Sequence, residues 1–79
     1  MNRRQSDRNP VNRKKIAGSK WTAVTPVRRE KHFMVLDWVR DDDGEPTDEV
    51  QIEAILTQEV AIVHWRELEN RDRWRIGWF

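Results

Sequence analysis

The sequence contains no cysteine, only three glycines and three prolines, and just two histidines among its 79 residues. Without cysteine a disulfide framework is excluded, and nothing indicates a secreted protein. Two histidines are too few for the usual zinc-site spacings, and the acidic run DDDGE lacks the acidic end positions of an EF-hand calcium loop. The longest apolar runs have four residues, far below the length of a membrane span. We therefore expect a cytoplasmic protein with no metal and no membrane segment.

Groups suited to catalysis are also scarce. The only serines are Ser6 and Ser19, and the chain has no glycine-rich phosphate loop, so neither a serine triad nor a nucleotide-binding loop is predicted. Glu53 lies opposite His64 in the hairpin predicted below; this permits an acid–base pair, but a cross-strand charge pair is the commoner arrangement. A chain this short can hardly enclose a catalytic cleft. We expect no enzyme activity, no catalytic residues and no cofactor.

Charge is present but unevenly distributed. Residues 1–20 contain seven Lys or Arg and one acid, a balance of +6, whereas the remainder contains eight basic and thirteen acidic residues, a balance of −5. Residues 1–18 also have few large apolar side chains, Val11 and Ile16 being the exceptions. We expect residues 1–18 to be a disordered basic N-terminal arm before a single small tryptophan-rich β domain over residues 19–79. The arm binds nucleic acid, stays solvated, or folds back on the acidic loop predicted at residues 41–49, DDDGEPTDE.

Stretches rich in β-branched and aromatic residues predict the strands. Residues 20–25 predict a first strand that ends at Pro26, and residues 32–40 predict a second. A third and a fourth strand follow in the segment EVQIEAILTQEVAIVHW, joined by a two-residue turn at Gln58 and Glu59. In this register one face of the hairpin is wholly apolar and comprises Ile52, Ala54, Leu56, Ala61, Val63 and Trp65.

The opposite face of the predicted sheet is apolar as well. In the hairpin it carries Ile55, Val60 and Ile62. In the second strand, one side carries Met34, Leu36 and Trp38, and the other carries Phe33, Val35, Asp37 and Val39. We predict a mainly β fold: a small antiparallel β-meander or partly closed barrel of four to five strands, with one short helical turn near residues 66–72. Either the sheet curls closed, or its second face is covered by the C-terminal segment or a partner chain.

Two stretches resemble a known family. They read GSKWTAVTPVRREKHFMV and ILTQEVAIVHWRELENRDRWRIGW, and the most specific feature is the W-R-E-L…W…G-W spacing of residues 65–78. The chain resembles a family of short bacterial tryptophan-rich proteins of uncharacterised function over roughly residues 18–78. The basic arm before residue 16 lies outside the pattern. The resemblance implies one small bacterial domain and brings no catalytic or binding residues with it.

The five tryptophans are the largest apolar groups in the chain. Each buried indole removes about 150–250 Å² from water, which matters in a domain too small to bury much other surface. Trp38 and Trp65 fall on predicted apolar faces and are predicted core residues. Trp21, Trp74 and Trp78 either close the ends of the fold or form a stacking platform for bases, and packing is the favoured reading. Trp74 and Trp78, four residues apart, are expected to share one side.

Two functions remain open at this point. The first is a small non-catalytic binding or accessory module that acts through protein–protein contact, with a homodimer or protein partner covering Phe33, Val35, Val39, Ile55 and Ile62. The alternative is single-stranded nucleic-acid binding, to RNA or DNA, through the basic arm and a set of basic and tryptophan side chains. The candidate nucleic-acid or partner-binding residues are Lys20, Trp21, Arg28, Arg29, Lys31, Trp74 and Trp78.

Overall fold

The computed structural model describes residues 8–79, which form one five-stranded antiparallel sheet. Its strands are β1 (Lys20–Val27), β2 (Glu30–Arg40), β3 (Pro46–Ala54), β4 (Val60–His64) and β5 (Trp74–Ile76). Short 3₁₀ helices form at Arg13–Lys15 and Trp65–Glu69. The spatial order is β4-β3-β2-β1-β5, so a four-stranded meander receives β5 beside β1. The mainly β fold is confirmed, and the sheet is open, with β4 and β5 at its edges.

The turn between β1 and β2 consists of only two residues, Arg28 and Arg29. Val27 pairs with Glu30, and the two intervening arginines both have positive φ, 54° at Arg28 and 65° at Arg29. Two left-handed residues match the twist of the flanking strands in a two-residue hairpin turn. The first strand also continues past Pro26, because the β1–β2 register shifts between Thr22 and Val27. A proline is tolerated at such an irregularity since no ladder hydrogen bond requires its amide.

A β-bulge in β2 changes which side chains face the core. Val35 pairs with Ile52 but Asp37 pairs with Gln51, which leaves Leu36 as the extra residue. An extra residue reverses the inside–outside alternation beyond it. The core side of β2 therefore carries Phe33, Val35 and Trp38. The predicted grouping of Met34, Leu36 and Trp38 on one side is wrong for this reason.

The β3–β4 hairpin has a longer loop than predicted. Ile52 pairs with Ala61, whereas the predicted register places it opposite Trp65. The connection spans residues 55–59 and is closed by the Ala54 amide donating to the Glu59 carbonyl at 2.9 Å. The displacement is an even number of residues, so Ile52 and Val63 still face the core side. Leu56, predicted on the same apolar face, lies in the longer loop and is 70% exposed, so that part of the prediction is wrong.

The core lies on one face of the sheet, which we call the core face. Its buried side chains come from four strands, from the segment before β1 and from the Trp65–Glu69 helix. They are Ile16, Trp21, Val35, Val50, Ile52, Trp65, Leu68 and Trp74. Phe33 adds an edge-to-face contact with Trp74, with the ring centroids 5.1 Å apart and the planes at 86°. Trp65 is a core residue as predicted, and Trp38 packs partly buried against the same cluster.

The segment before β1 packs on this core. Ile16 is buried, the Gly18 amide donates to the Val35 carbonyl at 2.7 Å, and the Asn9 side chain is also buried. This differs from the expectation of a disordered arm over residues 1–18, because one apolar anchor and one buried amide fix residues 8–18 to the sheet. The rest of the expected arm, residues 1–7, lies outside the described residues. Within the described range, no helix is long and apolar enough to cross a membrane.

Candidate functional site

The structure places two of the candidate tryptophans in the core. Trp21 is 3% exposed and Trp74 is 8% exposed. The indole N–H of Trp21 donates to Ser19 Oγ at 2.8 Å, so its polar atom is satisfied internally. A ring enclosed on both faces cannot stack on a base. Trp21 and Trp74 therefore do not form a stacking platform, and the packing interpretation holds for both.

Among the remaining candidates, the arginines of the β1–β2 turn lie away from the exposed indole. Arg28 and Arg29 are exposed at the tip, where Arg28 pairs with Glu30 at 3.4 Å. Trp78 reaches the other end of this hairpin and donates from Nε1 to the Phe33 carbonyl at 2.9 Å. Residues on one strand rise about 3.3 Å each, which separates the two places by roughly 15 Å.

The chain after β5 turns onto the open face, the side of the sheet opposite the core. Gly77 has φ +90°, a conformation that favours glycine, and its carbonyl accepts from Thr22 Oγ1 at 2.6 Å. The same hydroxyl oxygen accepts from the Phe79 amide at 3.1 Å. This turn separates Trp74, on the core face, from Trp78, so the expectation that they share one side is wrong.

We call the resulting group the C-terminal cluster; it comprises Lys20, Thr22, His32, Arg75, Trp78 and Phe79. The Lys20 ammonium lies 4.9 Å from the centroid of the Trp78 ring, and the Arg75 guanidinium lies 4.1 Å from that of Phe79. Trp78 remains 40% exposed. Lys31 lies next to this group, since it lines a surface depression of about 360 Å³ together with Arg75 and Phe79. The cluster combines cations with exposed aromatic surface, and cation–π contacts already occupy part of that surface.

A second candidate surface lies at the β4 edge of the sheet, the edge opposite β5. Leu56, Val60 and Ile62 are 70%, 52% and 54% exposed, and Ile55 is exposed beside them. We call these four residues the β4 surface. Of the residues predicted to be covered by a partner, Ile55 and Ile62 are indeed exposed. Three others are not, because Val35 is fully buried and Phe33 and Val39 are partly buried within the chain.

The backbone of β4 is open along the same surface. No strand of the described chain pairs with its outer side. The amide of Ala54 donates to Glu59, so by antiparallel alternation the hydrogen-bonded pairs are Ile52–Ala61 and Val50–Val63. The N–H and C=O groups of Val60, Ile62 and His64 consequently point outwards. The run VAIV is one of the four-residue apolar runs of the sequence, but the sequence alone does not indicate that it forms an edge.

Residues of the N-terminal segment cover the tryptophans at the far end of the core face. The Arg13 guanidinium lies 5.3 Å from the centroid of Trp38 and 5.1 Å from that of Trp65. It also pairs with Asp48 at 3.7 Å. Arg13 thus has partners within the chain, and the arm's predicted role in nucleic-acid binding loses this arginine.

One comparison with known proteins gives a match. A family model described as Tryptophan-rich protein (DUF2389) matches residues 19–78, which contain all five strands and all five tryptophans. The match starts after Ile16 and Asn9, although both pack against the matched part. No curated protein and no solved structure matches the chain.

Proposed function

We propose, from the premise that this chain belongs to the family of tryptophan-rich proteins of unknown function, that it is a small non-catalytic binding module acting through protein–protein contact. The contact site is the β4 surface with the open edge of β4. A single observation carries the proposal: an edge strand that is regular and uncharged from Val60 to Val63 and that exposes the side chains of Val60 and Ile62.

Edge strands of monomeric proteins are usually protected against pairing. The common protections are charged side chains, proline, a bulge or a covering segment. β4 carries none of the first two between Val60 and Val63, and its pairing with β3 proceeds in continuous register. A partner strand that adds to this edge would satisfy the outward backbone groups and would shield Val60 and Ile62 from water.

Site-specific photo-crosslinking tests this function. A photoreactive residue replaces Ile62 in the full chain expressed in its native cells, and a matched variant carries it at Ile76, an isoleucine of comparable exposure on the other edge. We expect a discrete adduct from position 62 that is lost when Val60→Lys is added. An adduct pattern identical at positions 62 and 76 would contradict the proposed site.

The second candidate function is single-stranded nucleic-acid binding at the C-terminal cluster. The observation that favours it is the partly exposed Trp78 ring against Lys20, followed in the chain by Phe79, which lines a depression together with Lys31 and Arg75. Stacking on one exposed aromatic ring contributes about 1–3 kcal/mol per base. The candidate set then contains Lys20, Lys31 and Trp78, with Arg28 and Arg29 farther along the hairpin.

A fluorescence titration with an oligonucleotide at low salt tests the second candidate. We expect quenching that is reversed by salt and reduced in Trp78→Phe, while Trp38→Phe, at the far end of the sheet, keeps it. Absence of quenching at low salt would exclude this function.

A further inference from the structure

We propose that the partner at the β4 edge is a second copy of this chain, joined by antiparallel β4–β4 pairing about a twofold axis at Ile62. The inference rests on the proposed protein-contact function and names the partner for that same site. It predicts one continuous sheet through two copies, with the two cores on the same side of it.

The backbone of β4 is complementary to itself. Its outward groups belong to Val60, Ile62 and His64, as the alternation of the β3–β4 ladder requires. With the axis at Ile62, this residue pairs with Ile62 of the second copy and Val60 pairs with His64 of the second copy. Outward groups then meet outward groups at every hydrogen-bonded position. With the axis at Ala61 or Val63, one of the three outward residues would face a residue outside β4 of the second copy.

The side chains are compatible with the same register. On the open face, Ile62 lies beside Ile62 of the second copy, and on the core face Ala61 lies beside Val63. No pair places like charges opposite each other within the strand. An extended ladder therefore buries apolar groups on both faces of the seam.

Charges at the strand ends favour the antiparallel direction. Glu59 precedes β4, and Arg66 follows it in the Trp65–Glu69 helix. Antiparallel pairing brings Glu59 near Arg66 of the second copy, whereas parallel pairing would bring two Glu59 carboxylates together. Arg66 also contacts Glu69 within its own chain, at 3.7 Å, so it is positioned near the end of the seam. This charge pattern selects a second copy in the antiparallel orientation.

The seam is short, which sets the expected strength. Stable interfaces bury about 800 Å² on each partner, and a strand of five residues with its neighbouring loop offers less. We therefore expect a reversible dimer whose population rises with concentration. Because the seam is short, a single substitution at the axis should strongly change the dissociation constant of the dimer.

Sedimentation over a wide concentration range tests the pairing with two matched variants. Ile62→Lys places two ammonium groups opposite each other at the axis and should weaken association by roughly tenfold or more. Ile76→Lys makes the same change on the other edge and should associate like the native chain. Circular dichroism confirms that both variants fold. A native chain that sediments as a monomer throughout, or equal weakening by the two variants, overturns the inference.

A cysteine variant gives a second readout that does not depend on lysine. Because the chain has no cysteine, Ile62→Cys introduces a single thiol. Opposed residues in an antiparallel hydrogen-bonded pair have Cα atoms about 5.5 Å apart, within disulfide range. We expect Ile62→Cys to form a disulfide dimer faster than Ile76→Cys under mild oxidation. Equal rates would overturn the register.

The cellular crosslink at position 62 separates this inference from the function on which it rests. An adduct of twice the chain's mass supports self-pairing. An adduct with a different protein keeps the protein-contact function and overturns self-pairing. No adduct specific to position 62 overturns both.

Discussion

The two edges of the sheet differ in how their outer backbone groups are satisfied. At β5, the Asn9 side chain donates to the Trp74 carbonyl at 2.8 Å and to the Leu68 carbonyl at 2.9 Å. The strand is only three residues long, with Arg75 at its centre. At β4, the described chain supplies no covering segment. At one edge a residue distant in sequence thus bonds an outer carbonyl, and the other edge is left available.

The difference shows how a small domain without disulfides distributes its stabilising contacts. The N-terminal segment contributes Ile16 to the core and Asn9 to the β5 edge. The Trp65–Glu69 helix contributes the buried Leu68, whose carbonyl accepts from Asn9. Among residues 8–79, no comparable contact protects the β4 surface. The N-terminal segment thus stabilises the β5 edge, whereas the β4 edge is the proposed contact site.

Two leucine substitutions should give the largest difference between these regions. Leu68→Ala removes a fully buried side chain and should lower the free energy of unfolding by about 2–5 kcal/mol. Leu56→Ala removes the same atoms from the exposed loop beside β4 and should change it by less than about 0.5 kcal/mol. Chemical denaturation measures both. Similar losses in the two variants would show that the β4 surface is packed in the monomer.

The buried amide at the β5 edge gives the next largest effect. Asn9→Ala leaves the carbonyls of Leu68 and Trp74 without their buried donor and should cost about 1–3 kcal/mol. Asn12→Ala is the matched control on the same segment. Its exposed side chain only accepts from the Lys14 amide, which should contribute about 1 kcal/mol or less. Thermal unfolding compares them, and a larger loss in Asn12→Ala would contradict the role assigned to Asn9.

Sequence patterns were sufficient for the elements that depend on local composition. The strand runs at residues 32–40 and in the β3–β4 hairpin appear in the structure, as does the short helix near residue 66. Part of the inward set of the hairpin was also predictable, because an even displacement of register keeps Ile52 and Val63 on the same side, whereas Leu56 falls in the loop.

Features that depend on distant contacts were not predictable. Nothing in the sequence around Leu36 indicates a bulge, yet that one residue moves Trp38 to the core face. Asn9 lies in a polar, basic stretch, and its burial depends on carbonyl groups about sixty positions away. The exposure of the candidate tryptophans also depends on contacts that the sequence does not reveal. Trp21 and Trp78 look equivalent in sequence, but the turn at Gly77 is what exposes one of them.

Substitutions in the β1–β2 turn should raise the free energy of unfolding by about 1 kcal/mol, because non-glycine residues with positive φ are strained. This hairpin lies next to the β5 edge. Replacing Arg28 and Arg29 by Asn and Gly supplies residues that adopt positive φ with little strain. Because the same change removes two candidate phosphate contacts, it also tests the nucleic-acid alternative. Stability should rise in thermal unfolding while β4-dependent association stays unchanged. Lower stability would mean that the arginine side chains contribute more than the turn conformation costs.

The smallest effect is expected where a charge pair and aromatic contacts meet at the far end of the core face. Asp48→Asn removes the partner of Arg13 in an exposed ion pair and should change the free energy of unfolding by less than about 0.5 kcal/mol. Arg13→Gln also removes the guanidinium from Trp38 and Trp65 and should cost about 0.5–1 kcal/mol. Chemical denaturation at low and high salt distinguishes them, since salt screens the ion pair more than the ring contacts. If Asp48→Asn lowered the free energy of unfolding as much as Arg13→Gln, the ion pair would be the main contact of Arg13 with the sheet. The contribution of Arg13 to stability would then fall as salt is added.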